Sequence, residues 1–320
     1  MKKLILKIGL YGILFVVALE CLTRIFYLGE DKPNRFLDKN NVEKWVPGQE
    51  GYAMTGNRKQ NFIKFHINKS GYNSYHEFAP TKDKIEVALV GDSFIEGFHQ
   101  PYARSTGRKI EDSFKQQLEV YEYGYSGYDM ADQLHLMYSY KNDFELIDYV
   151  YIKLKFNNDL MRSKYEVSHS RLNMQSPLNN LLKKSKLLIY LTDIGFIDPI
   201  KSFIGKTNAF IRNNKPQKAA PAVDQNKIDK EYLANFESLV DLYGYDKEKN
   251  VLLLDVEETS PLFITYLKEN NYQYIDFGNK INHSDKPTTL IYDMHWNNYG
   301  RKIIADLITE DLRSKMNLNK

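Results

Sequence analysis

The residues Ile85-Glu86-Val87-Ala88-Leu89-Val90-Gly91-Asp92-Ser93-Phe94 decide how this chain is read. An apolar, β-branched run of this length that stops at a turn triplet suits a strand buried on both faces, as the strands of parallel sheets are. In open α/β sheets, ligands bind beyond the carboxyl ends of such strands. Ser93 is therefore delivered to the edge where chemistry is expected, although Gly-Asp-Ser alone is a short and common triplet.

The rest of the chain supplies what a serine nucleophile lacks. A hydroxyl needs a base within hydrogen-bond reach to take its proton, and the base works best when a third group fixes its tautomer. Asp293-Met294-His295 offers both. The charge on a tetrahedral intermediate needs donors aimed at it. Candidates are the Ser93 backbone, Gly127 in Tyr123-Gly124-Tyr125-Ser126-Gly127-Tyr128, and Asn158 in Phe156-Asn157-Asn158-Asp159. Each follows a short strand-like run, which predicts all three at one sheet edge.

These residues, in this order, resemble the SGNH (GDSL-type) hydrolase family, named for its serine, glycine, asparagine and histidine. The resemblance covers most of the chain after about residue 85. It implies Ser93 as nucleophile, His295 as base and Asp293 as its acidic partner. It also implies an oxyanion hole of Ser93, Gly127 and Asn158, with Gly124 a less favoured substitute for Gly127. Phe156 stands where the family usually has a glycine, and Asp293 is two residues before His295 where three is commoner. The tighter form, Asp293-Met294-His295-Trp296-Asn297, looks like the variant of alginate O-acetylation proteins and related envelope acyl-transfer enzymes. The implied fold class is α/β, a three-layer α/β/α sandwich with a flavodoxin-like, mainly parallel five-stranded sheet.

The periodicity around the motifs agrees with that fold. Helical patterns cover 94–97, 128–142, 227–243, 261–268 and 299–315, and another carries Ile110, Phe114 and Leu118. Strands are expected near Val120 and over 148–155, 251–256 and 272–277, with Asn158 and His295 on loops. Strands alternating with helices imply parallel connections. Upstream, 29–80 reads as a tether plus a hairpin, because a strand-like run at 62–68 precedes Ser70-Gly71. His66 and His76 are assigned to that surface, since neither comes with a base-orienting partner.

Residues 1–28 read as an uncleaved signal anchor, with a cleaved signal peptide and a buried soluble helix as the alternatives: Met1-Lys2-Lys3, then an apolar run broken by Lys7, Glu20 and Arg24. The charge-free core at 8–19 is shorter than the roughly 20 residues a spanning helix needs, but flanking Lys and Arg can snorkel. Cys21, the single cysteine, allows no intrachain disulfide, and Glu20 before it argues against lipoprotein processing. A basic N-terminus held inside places the hydrolase-like domain, 81–320, outside the cytoplasm, on the periplasmic or cell-surface side.

Within that domain an insertion at about 161–225 breaks the rhythm. Between 161 and 221 it carries eleven Lys or Arg against three Asp or Glu, with apolar Leu178, Leu181, Leu182, Leu187, Leu188 and Leu191. The favoured reading is ordinary helices with a solvated basic face; a lid, a partner surface or a patch on anionic lipid is the alternative. Residues 213–225 are predicted to be a loop.

A net charge of +3 without a compact basic motif argues against nucleic acid as a partner. There is no His-Glu-x-x-His, cysteine cluster or phosphate-cradling glycine loop, so no metal or other cofactor is expected. Trp296 is expected to pack beside His295 rather than bind sugar. The expectation is a membrane-anchored serine esterase that deacylates an acylated small molecule or a cell-surface glycan or glycolipid. O-acyl transfer to a polysaccharide and non-catalytic glycan binding on the same scaffold are its alternatives.

Overall fold

The computed structural model describes residues 1–55, 61–173, 177–199, 224–291 and 293–317. It falls into two compact units, one of residues 1–32 and 170–223, the other of 33–169 and 224–320.

The larger unit opens with two antiparallel pairs, β1 (Arg35–Leu37) with β2 (Glu43–Trp45) and β3 (Glu50–Thr55) with β4 (Asn61–His66). Then come β5 (Ile85–Gly91), β6 (Leu118–Gly124), β7 (Tyr149–Lys153), β8 (Asn250–Leu254) and β9 (Gln273–Asp276). These five are parallel and lie in the order β6-β5-β7-β8-β9. This is the flavodoxin-like order, and its switch point is at β5, where the chain reverses its direction of travel across the sheet.

Alternation along each strand builds two cores. Ala88, Val90, Tyr121, Tyr123, Val150, Ile152, Leu252 and Leu254 share one face with helices Met130–Ser139, Gln225–Tyr243 and Pro261–Glu269. Val87, Leu89, Val120, Tyr151, Val251 and Leu253 share the other with helices Thr106–Ser113 and Asn298–Lys315. The result is the expected three-layer α/β/α sandwich. Val87 to Val90 are wholly buried, and each Val or Leu contributes about 1.5–3 kcal/mol by leaving water.

Two local expectations are corrected, those for Asn158 and His295. The strand near 62–68 turns back at Ser70-Gly71, where Ile67 bridges Asn73, and along its length it also pairs upstream with β3. Its neighbours Val42, Trp45, Phe65, Ile67 and Tyr72 are buried in the first core. Asn158 is on a single helical turn, Phe156–Asp159, and His295 is on a short strand, β11 (Asp293–Trp296), paired with β10 (Thr289–Leu290). Of the loop expected at 213–225, residues 213–223 lie outside the described residues, and Asp224 caps the helix Gln225–Tyr243.

In the smaller unit, helix Lys2–Ile25 is long and apolar enough to cross a membrane: 24 residues, or about 36 Å. Helix Lys186–Asp193 packs against it.

Candidate active site

Ser93 opens a one-turn helix, Ser93–Glu96, at the carboxyl end of β5. Asp92 caps it: its side chain accepts the Phe94 N–H at 3.0 Å, and its carbonyl accepts those of Ile95 and Glu96. The Ser93 N–H, at the head of the turn, is the donor the helix does not use. The other Asp92 oxygen receives the buried Lys153 ammonium from β7 at 2.9 Å, and Lys153 lies 4.5 Å over the Phe94 ring. Buried Arg301 donates to the Phe94 carbonyl at 3.1 Å.

Two glycines let this turn sit tight on the sheet. A Cβ on Gly91 would lie 2.6 Å from Ile95, and one on Gly124 would lie 2.1 Å from the Glu96 nitrogen. Gly124 is thus a backbone-packing residue in β6.

His295 meets Ser93, its Nε2 being 2.7 Å from Ser93 Oγ. On its other side Nδ1 bonds Asp293 Oδ1, the same oxygen that accepts the His295 backbone N–H at 2.8 Å. With two residues of spacing on a strand, one carboxylate oxygen reaches both the backbone and the ring of the same histidine. Asn297 ends the motif by capping helix Asn298–Lys315: its side-chain oxygen accepts from Tyr299 and Gly300. Its amide donates to the Pro287 and Thr289 carbonyls, tying β11 to β10. Trp296 is buried against Phe94 and Phe277, as packing predicted.

A residue that the sequence reading missed joins them. His99 stacks on His295 with ring centroids 3.8 Å apart, and its Nδ1 lies 3.7 Å from the free oxygen of Asp293. Its carbonyl is held by the Asn61 amide at 2.6 Å, and the preceding Phe98 wedges between Trp45 and Phe65. Burial, together with the neighbouring His295, lowers the His99 pKa to about 4, so its ring is neutral near pH 7. Burial pushes the Asp293 carboxyl up, but the His295 N–H, the His295 ring and His99 more than offset this, and Asp293 ends below the ordinary carboxylate range. A ring six residues past the nucleophile was the available signal for His99; without a partner nearby in sequence it went unread.

The loop after β6 carries Gly127 at φ 89°, in a turn closed by Tyr128 N–H to the Tyr125 carbonyl. Glu96 ties this loop to the Ser93 turn. One of its oxygens accepts Trp45 Nε1 at 2.6 Å and the Ser126 N–H at 3.1 Å; the other bonds the Ser126 hydroxyl. Full burial raises the Glu96 pKa to about 7 against these donors. Asn158 is on the turn Phe156–Asp159 just after β7, its amide donating to the buried carboxylate of Asp159 at 3.2 Å. Burial raises Asp159 to about 6, with Lys153 opposing and Asp92 adding to the rise.

Ligand atoms of His99, Asp293 and His295 all lie within 4.8 Å of one another, which is close enough to share a metal ion. Both ring nitrogens of His295 are already engaged by Asp293 and Ser93, so a metal there would compete with the Ser–His contact.

No protein-family model matches the chain, and no curated protein does. Among solved structures, a G-D-S-L family lipolytic protein from Veillonella parvula aligns at 14% identity and TM-score 0.38, over 71% of this chain and 97% of that one. A lipase/acylhydrolase from Enterococcus faecalis aligns at 12% and 0.42, over 72% and 97%. A carbohydrate acetylesterase family member from Sinorhizobium meliloti aligns at 11% and 0.39, over 72% and 98%.

Proposed function

We propose that this protein is a serine esterase of the SGNH type, forming an acyl-enzyme at Ser93. The observation that carries the proposal is the 2.7 Å contact between Ser93 Oγ and His295 Nε2, with Asp293 on the far side of the ring. His295 takes the hydroxyl proton as Ser93 attacks the acyl carbon, then returns it to the leaving alcohol; a second cycle with water frees the acid. Asp293 fixes the tautomer and offsets the imidazolium charge. The Ser93 N–H, Gly127 and Asn158 are the assigned donors to the oxyanion, each just after one of three adjacent strands, β5, β6 and β7.

The substrate assigned is a small acyl ester, an acetyl ester foremost, on a glycan or glycolipid of the cell envelope. The helix Lys2–Ile25, acting as a single-pass anchor, supports this by holding the enzyme at a membrane, with the hydrolase-like unit on the extracytoplasmic side. The Asp-x-His-Trp-Asn motif favours a second reading, in which a sugar hydroxyl replaces water in the second half-reaction. An aryl acetate assay tests both: wild type should turn over and Ser93→Ala should not. Acetylated sugar as the dominant product when an oligosaccharide is added would replace hydrolysis with transfer. Unchanged turnover in Ser93→Ala would end both readings.

A further inference from the structure

Glu20 is a carboxylate within the apolar helix Lys2–Ile25, five residues before its end. A charge at such a position is costly in a bilayer unless it is paired. Its partners are specific. One oxygen accepts Arg24 Nε at 2.8 Å and the Lys186 N–H at 3.0 Å; the other accepts Ser185 Oγ and the Leu187 N–H, both at 2.9 Å. Three of these four donors come from the start of helix Lys186–Asp193, which therefore lies at the depth of Glu20, about 8 Å back along the axis from Ile25.

The helix is also held at its flanks. Lys186 Nζ bonds the Glu30 carbonyl at 2.7 Å and the Asp31 carboxylate, and Lys32 Nζ lies 3.3 Å from Asp193. Gly29 permits the approach, since a Cβ there would lie 2.5 Å from the Lys186 carbonyl. While the contacts face inward, Leu181, Leu182, Ile194 and Phe196 stay 43–65% exposed, and Ile25 and Phe26 of the anchor are exposed as well.

We propose that residues 177–199 form an interfacial element that lies in the headgroup and acyl boundary of the bilayer where helix Lys2–Ile25 leaves it. Its exposed apolar residues enter the lipid, and exposed Lys184 faces anionic headgroups. This rests on reading Lys2–Ile25 as the span, and it reverses the preference for a solvated basic surface. The occupant follows from continuity: helix Lys186–Asp193 packs on the span itself, and the segment 177–199 carries Lys183, Lys184 and Lys186 against Asp193 and Asp198, a slight positive excess that suits anionic lipid.

The test uses the full chain in a Cys21→Ser background, reconstituted in vesicles of phosphatidylcholine with and without phosphatidylglycerol. Single nitroxide labels are placed at Leu182→Cys, Ile194→Cys and Phe196→Cys, with Val16→Cys as the reference in the span and Lys227→Cys as the reference in water. At 182, 194 and 196, accessibility to a water-soluble nickel reagent should fall roughly threefold or more below that at 227, and further with phosphatidylglycerol, as lipid burial requires. Glu20→Ala should return these labels to water while the Val16 label stays buried. Labels as accessible as that at 227, or unmoved by Glu20→Ala, would overturn the proposal; equal burial in both lipids would overturn its anionic preference. An aqueous Val16 label would show that the span itself had failed.

Discussion

Replacing Glu96 by glutamine asks whether a neutral carboxyl ties the nucleophile turn to the Gly127 loop. In the folded chain burial raises this group to about 7 from the ordinary glutamate value of 4.5. The gap is worth about 3 kcal/mol at ~1.36 kcal/mol per pKa unit. The folded state holds the proton more tightly than the unfolded one, so the stabilisation is fully present below about 4.5 and is lost as pH rises through about 7. Glutamine copies the protonated acid: its carbonyl can accept from Trp45 and the Ser126 N–H, and its amide can donate to the Ser126 hydroxyl. Relative to wild type, Glu96→Gln should therefore gain about 2–3 kcal/mol between pH 5 and pH 8. Urea unfolding of the full chain in a mild detergent, followed by tryptophan fluorescence, measures this, because Trp45 and Trp296 both belong to the larger unit. Aryl acetate turnover should be retained within about threefold, roughly 0.7 kcal/mol of barrier. A stability difference that does not change with pH would refute the reasoning.

Other perturbations reach the site from different sides. Gly124→Ala should cost about 2 kcal/mol or more and abolish most turnover, because the new methyl meets the Glu96 backbone; thermal unfolding and the ester assay read both. Lys153→Met leaves Asp92 unpaired beneath Ser93 and should cost about 3–5 kcal/mol by urea titration. His99→Phe keeps a ring on His295 while removing a base. Wild-type stability should fall as pH drops from about 6.5 toward 4, because the unfolded imidazole takes a proton that the folded one refuses, and unfolding curves of the variant should lack that part of the acid loss.

Much of this architecture was legible in the sequence because strands buried on both faces announce themselves. The continuous apolar runs Val87–Gly91 and Val251–Leu254 both lie in strands of the core sheet. β3 hid because Glu-Gly-Tyr-Ala-Met-Thr alternates weakly and its pairing with β4 is a tertiary fact. Four residues, Asp293–Trp296, are too few for a period to register, so the strand carrying His295 read as a loop. Around the site, Ser93, His295 and Asp293 could be named because each belongs to a local motif. His99, Glu96 and Lys153 could not, since their roles come from contacts with Asp293, Ser126 and Asp92 made only by folding. Lys153 left a faint trace all the same, as a cation ending a buried strand beside the one that leads to Asp92.

Acyl-enzyme chemistry requires that His295 make Ser93 nucleophilic, and labelling with a fluorophosphonate probe tests that most directly. The intact chain should gain one phosphonyl adduct, mapped by mass spectrometry to Ser93, with labelling slowed at least about a hundredfold in His295→Ala, as loss of a general base requires. An adduct on another residue, or equal labelling of Ser93 with and without the His295 imidazole, would contradict it.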